Sequence, residues 1–414
     1  MLTAAINGKF LSDRMQGIVR YARELVVALD DVLDENDRVV LVVPPDAQDV
    51  PAFSHIEVVQ WGRLKGIAWE QLDFARYLRK HKGFLSLNLC NVAPIVAPAG
   101  VTTVHDVMYR TCPEFYTSPR NKISRLWHCA QYRFLAWHEL MLLTVSAYSK
   151  AEIERCYPRS RGKVRVVPNG WQHVCSYVEA TDWRERYPEL TPGEYVFSMA
   201  TLARNKNVRW IYEVARRNPD VTFAIAGMRY ETDGVSHPSN VRLLGFVPDD
   251  DACALIRNCK AFLYPSLYEG FGLPPLEALA LGAQVISSNA TSLPEVLCDA
   301  VHYVDPRDYE VDIDVLLGEP VGPARHALDA YSWHKSGKLL VQALQETLTS
   351  SDQSQVLRFG APKGRSCETS GVVDDPRAVP QRSEDCLSTD GHNAVRLAGP
   401  PYPKQAQPKQ VVTT

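Results

Sequence analysis

The sequence predicts an α/β protein built of two doubly wound parallel-sheet domains facing a cleft. Three observations predict it. Short apolar runs alternate with helical patterns from the first residues onward. The alternation stops once, over the proline-bearing residues 175–193, and then restarts. The apolar runs are continuous rather than alternating, which marks strands covered on both faces. At 414 residues the chain is long enough for two or three domains.

Residues 3–7 read as a first short strand. Residues 17–29 follow with Ile18, Tyr21, Ala22, Leu25 and Leu29 at helical spacing. The runs at 39–43, 101–105, 142–145 and 164–167 continue the first sheet. Residues 175–193 hold Pro188 and Pro192 and read as a linker. The second series opens with a strand at 195–199 and a helix at 208–216. Strands at 221–226 and 241–244 end at Gly227 and Gly245. A helix at 250–258 and strands at 261–264 and 284–287 complete it. Residues 331–348 place Trp333, Leu339, Leu340, Ala343, Leu344 and Leu348 on a final amphipathic helix. From 350 onward Ser, Gln, Asp, Gly and Pro dominate, with Phe359 and Tyr402 the sole aromatics. Such a tail has too little apolar surface to fold and is expected to be disordered. The expected division is 1–178, 190–329, a terminal helix at 330–349, and a tail at 350–414.

Composition narrows the function. The chain is 45% hydrophobic and 22% charged with a net charge of −3, so nothing in the balance suggests a nucleic-acid partner. Ten scattered cysteines include no C-x-x-C pair, which argues against a disulfide scaffold or a zinc site and for free thiols in a reducing compartment. Residues 1–7 lack the pattern of a secretory signal, and no run approaches the ~20 apolar residues that span a bilayer. The expected location is cytoplasmic, at most peripheral to a membrane.

The densest chemical signal lies at 265–282, where Glu269 and Glu277 stand with seven residues between them. A Gly270-Phe271-Gly272 loop and a Pro274-Pro275 pair fill the gap. Proline suits a first helical turn, Ala278 to Leu281 favour helix, and Gly282 suits its end. The motif is therefore strand, glycine loop, helix N-terminus. Unpaired amides and the positive end of the helix dipole suit a phosphate there, and glycines let it come close. A carboxylate beside a phosphate needs another partner, and sugar hydroxyls fit an ionised glutamate. A ligand with a central diphosphate and hydroxyl-rich rings at both ends has the shape of a nucleotide-sugar. An acidic loop before an ordinary surface helix is the competing reading.

The motif resembles the signature of retaining glycosyltransferase family 4, the group 1 glycosyl transferases of GT-B fold, and the resemblance extends over about residues 1–349. It implies transfer of a hexose-type sugar from a nucleotide-sugar to a hydroxyl of a glycan or lipid-linked acceptor, with retention, in surface or capsular polysaccharide assembly. It implies no cofactor beyond the donor. Glu269 would meet the donor sugar and Glu277 the ribose, while Gly270, Phe271, Gly272 and Leu273 would offer amides. In this family the last helix commonly crosses back to the first domain.

Other landmarks match in part. Arg204-Asn205-Lys206-Asn207 resembles the family's basic loop, with Asn205 where Arg is usual and Arg204 one residue earlier. Fixed cations stabilise the charge of a departing diphosphate, so no metal is required; a solvated basic turn is the alternative. Gly17 stands where the family often has a glycine pair, at a helix start whose amides would touch the diphosphate, or is a plain helix glycine. His105 and Asp106 resemble the His-Asp pair at the family's cleft. His105 would bond the donor sugar or hold the reacting geometry, with Asp106 orienting its imidazole; a satisfied structural histidine competes with this. Val247 follows Gly245-Phe246 where the family contacts the base through backbone groups. Ser146 or Ser149 reads as a helix cap, and Asn169-Gly170 as a turn.

Residues 119–139 mix Arg120, Lys122, Arg125 and Arg133 with Ile123, Leu126, Trp127 and Trp137. The segment fits a membrane interface, where it would meet a lipid-diphosphate acceptor, and equally a packed helix with snorkelling arginines. Two other functions share these features: a GT-B epimerase or phosphorylase, and a non-catalytic nucleotide-sugar sensor. Lack of G-x-G-x-x-G disfavours a dinucleotide oxidoreductase.

Overall fold

The computed structural model describes residues 1–359, apart from 178–179, 181, 201–202 and 228–235. Seven strands form the first sheet: β1 (Thr3–Asn7), β2 (Arg38–Val43), β3 (Ile56–Gln60), β4 (Leu85–Asn88), β5 (Val101–Thr103), β6 (Met141–Thr144) and β7 (Val164–Val166). Six form the second: β8 (Tyr195–Met199), β9 (Thr222–Ala226), β10 (Val241–Gly245), β11 (Ala261–Tyr264), β12 (Val285–Ser288) and β13 (His302–Val304). Every pairing among the described residues is parallel. The orders are β3-β2-β1-β4-β5-β6-β7 and β10-β9-β8-β11-β12-β13. Each sheet thus grows outward from its first strand in both directions. The crevice where direction reverses opens beyond the C-terminal ends of β1 and β4, and of β8 and β11.

The helices that matter for the site are α1 (Gly17–Asp30), α2 (Pro119–His138), α3 (Ala147–Cys156), α4 (Val208–Arg217), α5 (Asp249–Asn258), α6 (Leu273–Ala280) and α7 (Trp333–Phe359). Three strands lie outside the sequence expectation, each for a physical reason. β3 is an edge strand with only Ile56 buried, β4 interleaves Ser86 and Asn88 with leucines, and β13 is three residues long. The expected strand at 101–105 stops at Thr103, and the expected linker carries a short helix, Trp183–Arg186. Trp183, Tyr187 and Leu190 are buried there, in the same apolar cluster as Tyr195 and Leu255. No described helix is long and apolar enough to cross a membrane.

α7 runs past the expected end to Phe359, and the tail expected over 350–414 lies outside the described residues from 360 onward. Its start and its body hold different partners. Trp333 joins the segment between β7 and the linker, since its backbone N–H donates to Gln172 Oε1 at 3.0 Å. Further along, Ser336 donates to Pro168 O at 2.7 Å, and Arg165 pairs with Glu346 at 3.0 Å. Leu340, Ala343 and Leu344 are buried. Gly337 marks the closest approach to α1: a Cβ there would stand 2.4 Å from the Ala28 carbonyl oxygen.

Gly337→Val should therefore push α7 off α1. Urea unfolding is expected to show a loss of about 1–3 kcal/mol, the usual cost of overpacking a close contact. An unchanged midpoint would show that the two helices do not meet at Gly337.

Candidate functional site

The glutamate motif sits at the crevice of the second sheet, in the loop between β11 and α6. Gly272 takes φ 97°, a left-handed conformation that glycine adopts without steric cost, and starts α6 without a side-chain cap. Pro274 and Pro275 carry no amide hydrogen, so the open donors at this end belong to the Gly272–Leu273 side. Ser292 Oγ holds the loop from behind, donating to the carbonyls of Glu269 at 3.0 Å and Phe271 at 3.1 Å. Phe271 is buried edge-on against Tyr331, so its side chain anchors the loop and only its backbone faces the crevice.

The first domain grips the same loop. Ser146 Oγ donates to the Gly270 carbonyl at 2.6 Å and Ser149 Oγ at 3.0 Å. A Cβ on Gly270 would lie 2.5 Å from the His105 carbonyl oxygen and 3.1 Å from Asp106 Cβ. Only glycine fits. Glu295 adds a second clasp, accepting from the Ala147 and Tyr148 amides at 2.7 and 2.8 Å across the N-terminus of α3. Ser146 is the cap of α3, accepting from the Ser149 amide.

Glu269 faces a cation. Lys206 Nζ donates to Glu269 Oε1 at 2.8 Å and to the Tyr264 hydroxyl at 2.6 Å, and lies 4.8 Å from the Tyr264 ring centre. Burial opposes the Lys206 charge, but Glu269 and Tyr264 outweigh it and hold the ammonium above its ordinary pKa. Asn205 does not take the place of a cation. Its amide turns inward, is buried, and donates to the Tyr268 carbonyl at 3.0 Å. Its backbone carbonyl accepts from the Leu267 amide at 2.7 Å. It braces the loop that carries Glu269, while Arg204 beside it is exposed.

Glu277 faces inward from α6. His173 Nε2 donates to Glu277 Oε1 at 2.7 Å, and Trp333 Nε1 donates to His173 Nδ1 at 3.0 Å. An indole can only donate, so Nδ1 must accept and the proton must sit on Nε2. This bond engages one of the two glutamate oxygens. Arg20 of α1 feels Glu277 as well as Asp249. Burial works against its charge, yet these carboxylates hold it above its ordinary value, and Arg20 Nη2 meets Asp249 at 2.6 Å.

His105 and Asp106 point different ways, as successive residues of extended chain do. The expectation that Asp106 orients the imidazole does not hold. His105 Nε2 donates to the Leu89 carbonyl at 2.9 Å, and Asp106 Oδ1 accepts from the Met108 amide. Burial pushes His105 down to about 4 against that bond. Burial pushes Asp106 up to about 6, Glu269 adding to the rise and Lys206 and the Met108 amide opposing it. Gly17 is exposed, with open space where a side chain would stand, at an α1 start that lacks a side-chain cap. Val247 is buried in the core, so any contact it makes there is through backbone. At the ends of β1 and β4, Asn7 donates to buried Glu70 at 2.8 Å and to Asn88 at 3.1 Å. Among the described residues no three His, Cys, Asp or Glu side chains converge as a metal site.

The structure thus brings together Lys206, Glu269, Gly270 and Asp106 on one side, and Glu277 with Arg20 on the other. His173, Trp333, Ser146 and Ser149 complete the site. Nothing local in the sequence joins His173 to Glu277, 104 residues away.

Residues 179–326 match the family model described as Glycosyl transferases group 1. The chain is 31% identical over 264 residues to the O-antigen chain mannosyltransferase B of Escherichia coli, covering 59% of this chain and 65% of that protein. It spans less than two thirds of that relative's length. Among solved structures, AviGT4, a glycosyltransferase involved in avilamycin A biosynthesis, superposes with a TM-score of 0.58 at 16% identity, over 84% of this chain and 98% of that one. Anabaena Alr3699/HepE, solved with UDP and glucose, gives 0.57 at 15% identity, over 83% and 100%. These likenesses, with the two parallel sheets, establish the GT-B fold.

His105 should stay neutral, with its proton on Nε2, across about pH 5 to 8, where an ordinary histidine titrates. Long-range proton–nitrogen NMR reads this directly. Because the folded state resists protonation, His105 contributes stability above its unfolded value of about 6.5, lost as the pH falls toward 4. A His105 midpoint near 6.5 in the folded protein would contradict its burial.

Proposed function

We propose that the chain is a hexosyltransferase that moves a sugar from a nucleoside diphosphate sugar to a hydroxyl of a glycan or lipid-linked acceptor, in surface polysaccharide assembly. The observation that carries this reading is the pair of half-occupied carboxylates, Glu269 and Glu277, flanking an uncapped helix start at a GT-B crevice. The named relative is a mannosyltransferase, so mannose is the first sugar to try. Glu277 accepts the ribose hydroxyls with its free oxygen, His173 holding the other. The amides of the Gly270–Leu273 loop and the α1 start at Gly17 receive the diphosphate.

The reaction we assign is a front-face transfer with retention. The bond between the anomeric carbon and the phosphate oxygen breaks, and the acceptor oxygen bonds to the same face. The acceptor proton passes to the departing phosphate. Lys206, with Arg204 nearby, stabilises the charge that develops there, a contribution that fixed cations make without a metal. Glu269 holds Lys206 in aim and accepts from the sugar hydroxyls. Neutral His105 forms the wall on the first-domain side, against the Gly270 backbone of the second domain.

Glu269→Ala should lower transfer by about two to three orders of magnitude, the range seen when one group stabilising the transition state is lost. Wild-type turnover by the folded variant would sink the assignment. A chelator should leave the rate unchanged; activity that vanishes and returns with Mg²⁺ would contradict metal-independent transfer. Release of nucleoside diphosphate should require acceptor, and release without it would favour an epimerase-like reaction. His173→Ala should raise the donor KM about tenfold with kcat kept, since a lost hydrogen bond to a charged group costs roughly 1.5 kcal/mol or more.

A further inference from the structure

A recess of about 670 Å³ lies in the first domain, lined by no residue of the second and by none of the site residues above. Arg110, Arg133 and Arg159 point into it from three elements: the short helix Met108–Thr111, α2, and the turn after α3. No carboxylate lines it, and none of the three arginines forms an ion pair with a described residue. All three arginines are exposed, and three guanidinium groups around one recess offer an anion several charge-assisted hydrogen bonds at once.

The recess opens onto an apolar face. Trp137 is part of its wall and is 60% exposed. Ile123, Leu126 and Trp127 are also exposed, Ile123 at 69%. Positions 123, 126, 130, 133 and 137 step by three and four along α2, so these side chains share one face with Ala130 and Arg133 of the wall. That face extends over about 20 Å of helix. Contiguous exposed apolar surface running into a cationic recess is shaped for a molecule with an anionic head and an apolar chain.

We propose that the recess binds the phosphate head of a lipid, a monoester or diphosphate, with the lipid chain along the exposed face of α2. Three arginines match a doubly charged phosphate better than a singly charged diester. The site is separate from the crevice and does not depend on what the crevice binds.

The test is flotation of the full chain with vesicles of phosphatidylcholine alone, with added phosphatidic acid, or with added phosphatidylglycerol at equal total charge. The protein should float several-fold more with phosphatidic acid than with phosphatidylglycerol. Combined Arg110→Gln, Arg133→Gln and Arg159→Gln substitution should bring flotation down to the phosphatidylcholine level. Each single exchange should give part of that loss, so the result does not depend on the triple variant. Trp137→Ser should weaken flotation and keep the headgroup preference. Equal flotation with both anionic lipids, or a triple variant that floats like the wild type, would overturn the proposal. So would full release by inorganic pyrophosphate at concentrations below that of the lipid, which would make the recess a site for a free anion. Stabilisation by nucleoside diphosphate, measured on the same variants, separates failure here from failure of the donor site.

Discussion

The contact on which the site depends is the approach of Gly270 to the end of β5. The Gly270 carbonyl is held by two serines of the first domain, and its Cα lies where a side chain would strike the His105 carbonyl. This residue sets the closest approach of the two halves at the crevice, with Glu295 clasping beside it. Glu269, the next residue back, is thereby placed beside Asp106 and Lys206, and Gly272, two residues on, opens α6 toward the same space. A looser contact would leave each half folded and the crevice without a defined width. Positioning errors of this kind are costly, because the groups that stabilise a transition state act only when they need not move to do so.

Around that contact the polar groups follow one pattern. Each of the two motif glutamates has one oxygen committed to the protein and one available. Lys206 fills the first role for Glu269 and His173 for Glu277. The partners are themselves held, Lys206 by Tyr264 and His173 by Trp333. Each support engages only one oxygen of its glutamate, as a preorganised binding site would require. Trp333 also begins the helix that returns to α1, so the packing of α7 and the aim of Glu277 are mechanically linked.

Much of this architecture was legible in the sequence, and the exceptions have causes. Continuous runs such as Ala261–Tyr264 announce buried strands because nothing polar interrupts them. Ile56–Gln60 did not, because an edge strand faces solvent and its pattern is weak. The glutamate motif was readable because strand, glycine loop and proline-started helix are all local features. Its supports were not: His173, Trp333, Ser146 and Ser149 reach it through tertiary structure alone. Asn205 looked like a missing cation in one dimension, and proved to be a brace once Tyr268 stood beside it. The pairing expected between His105 and Asp106 failed because neighbours on extended chain diverge, and the Leu89 carbonyl was the nearer partner.

The central claim is that Glu277, with one free oxygen at an uncapped helix start, receives the ribose of a nucleoside diphosphate sugar. The most direct measurement is the shift in melting temperature over a panel of nucleoside diphosphates and their sugars, without metal and with Mg²⁺, for the wild type and Glu277→Ala. A ligand that binds only the folded state raises its stability by about 2.7 kcal/mol at a hundred times its Kd. The account predicts a shift with one nucleoside diphosphate and its sugars, already present without metal and lost in the variant. No shift across the panel, or an equal shift in Glu277→Ala, would contradict it.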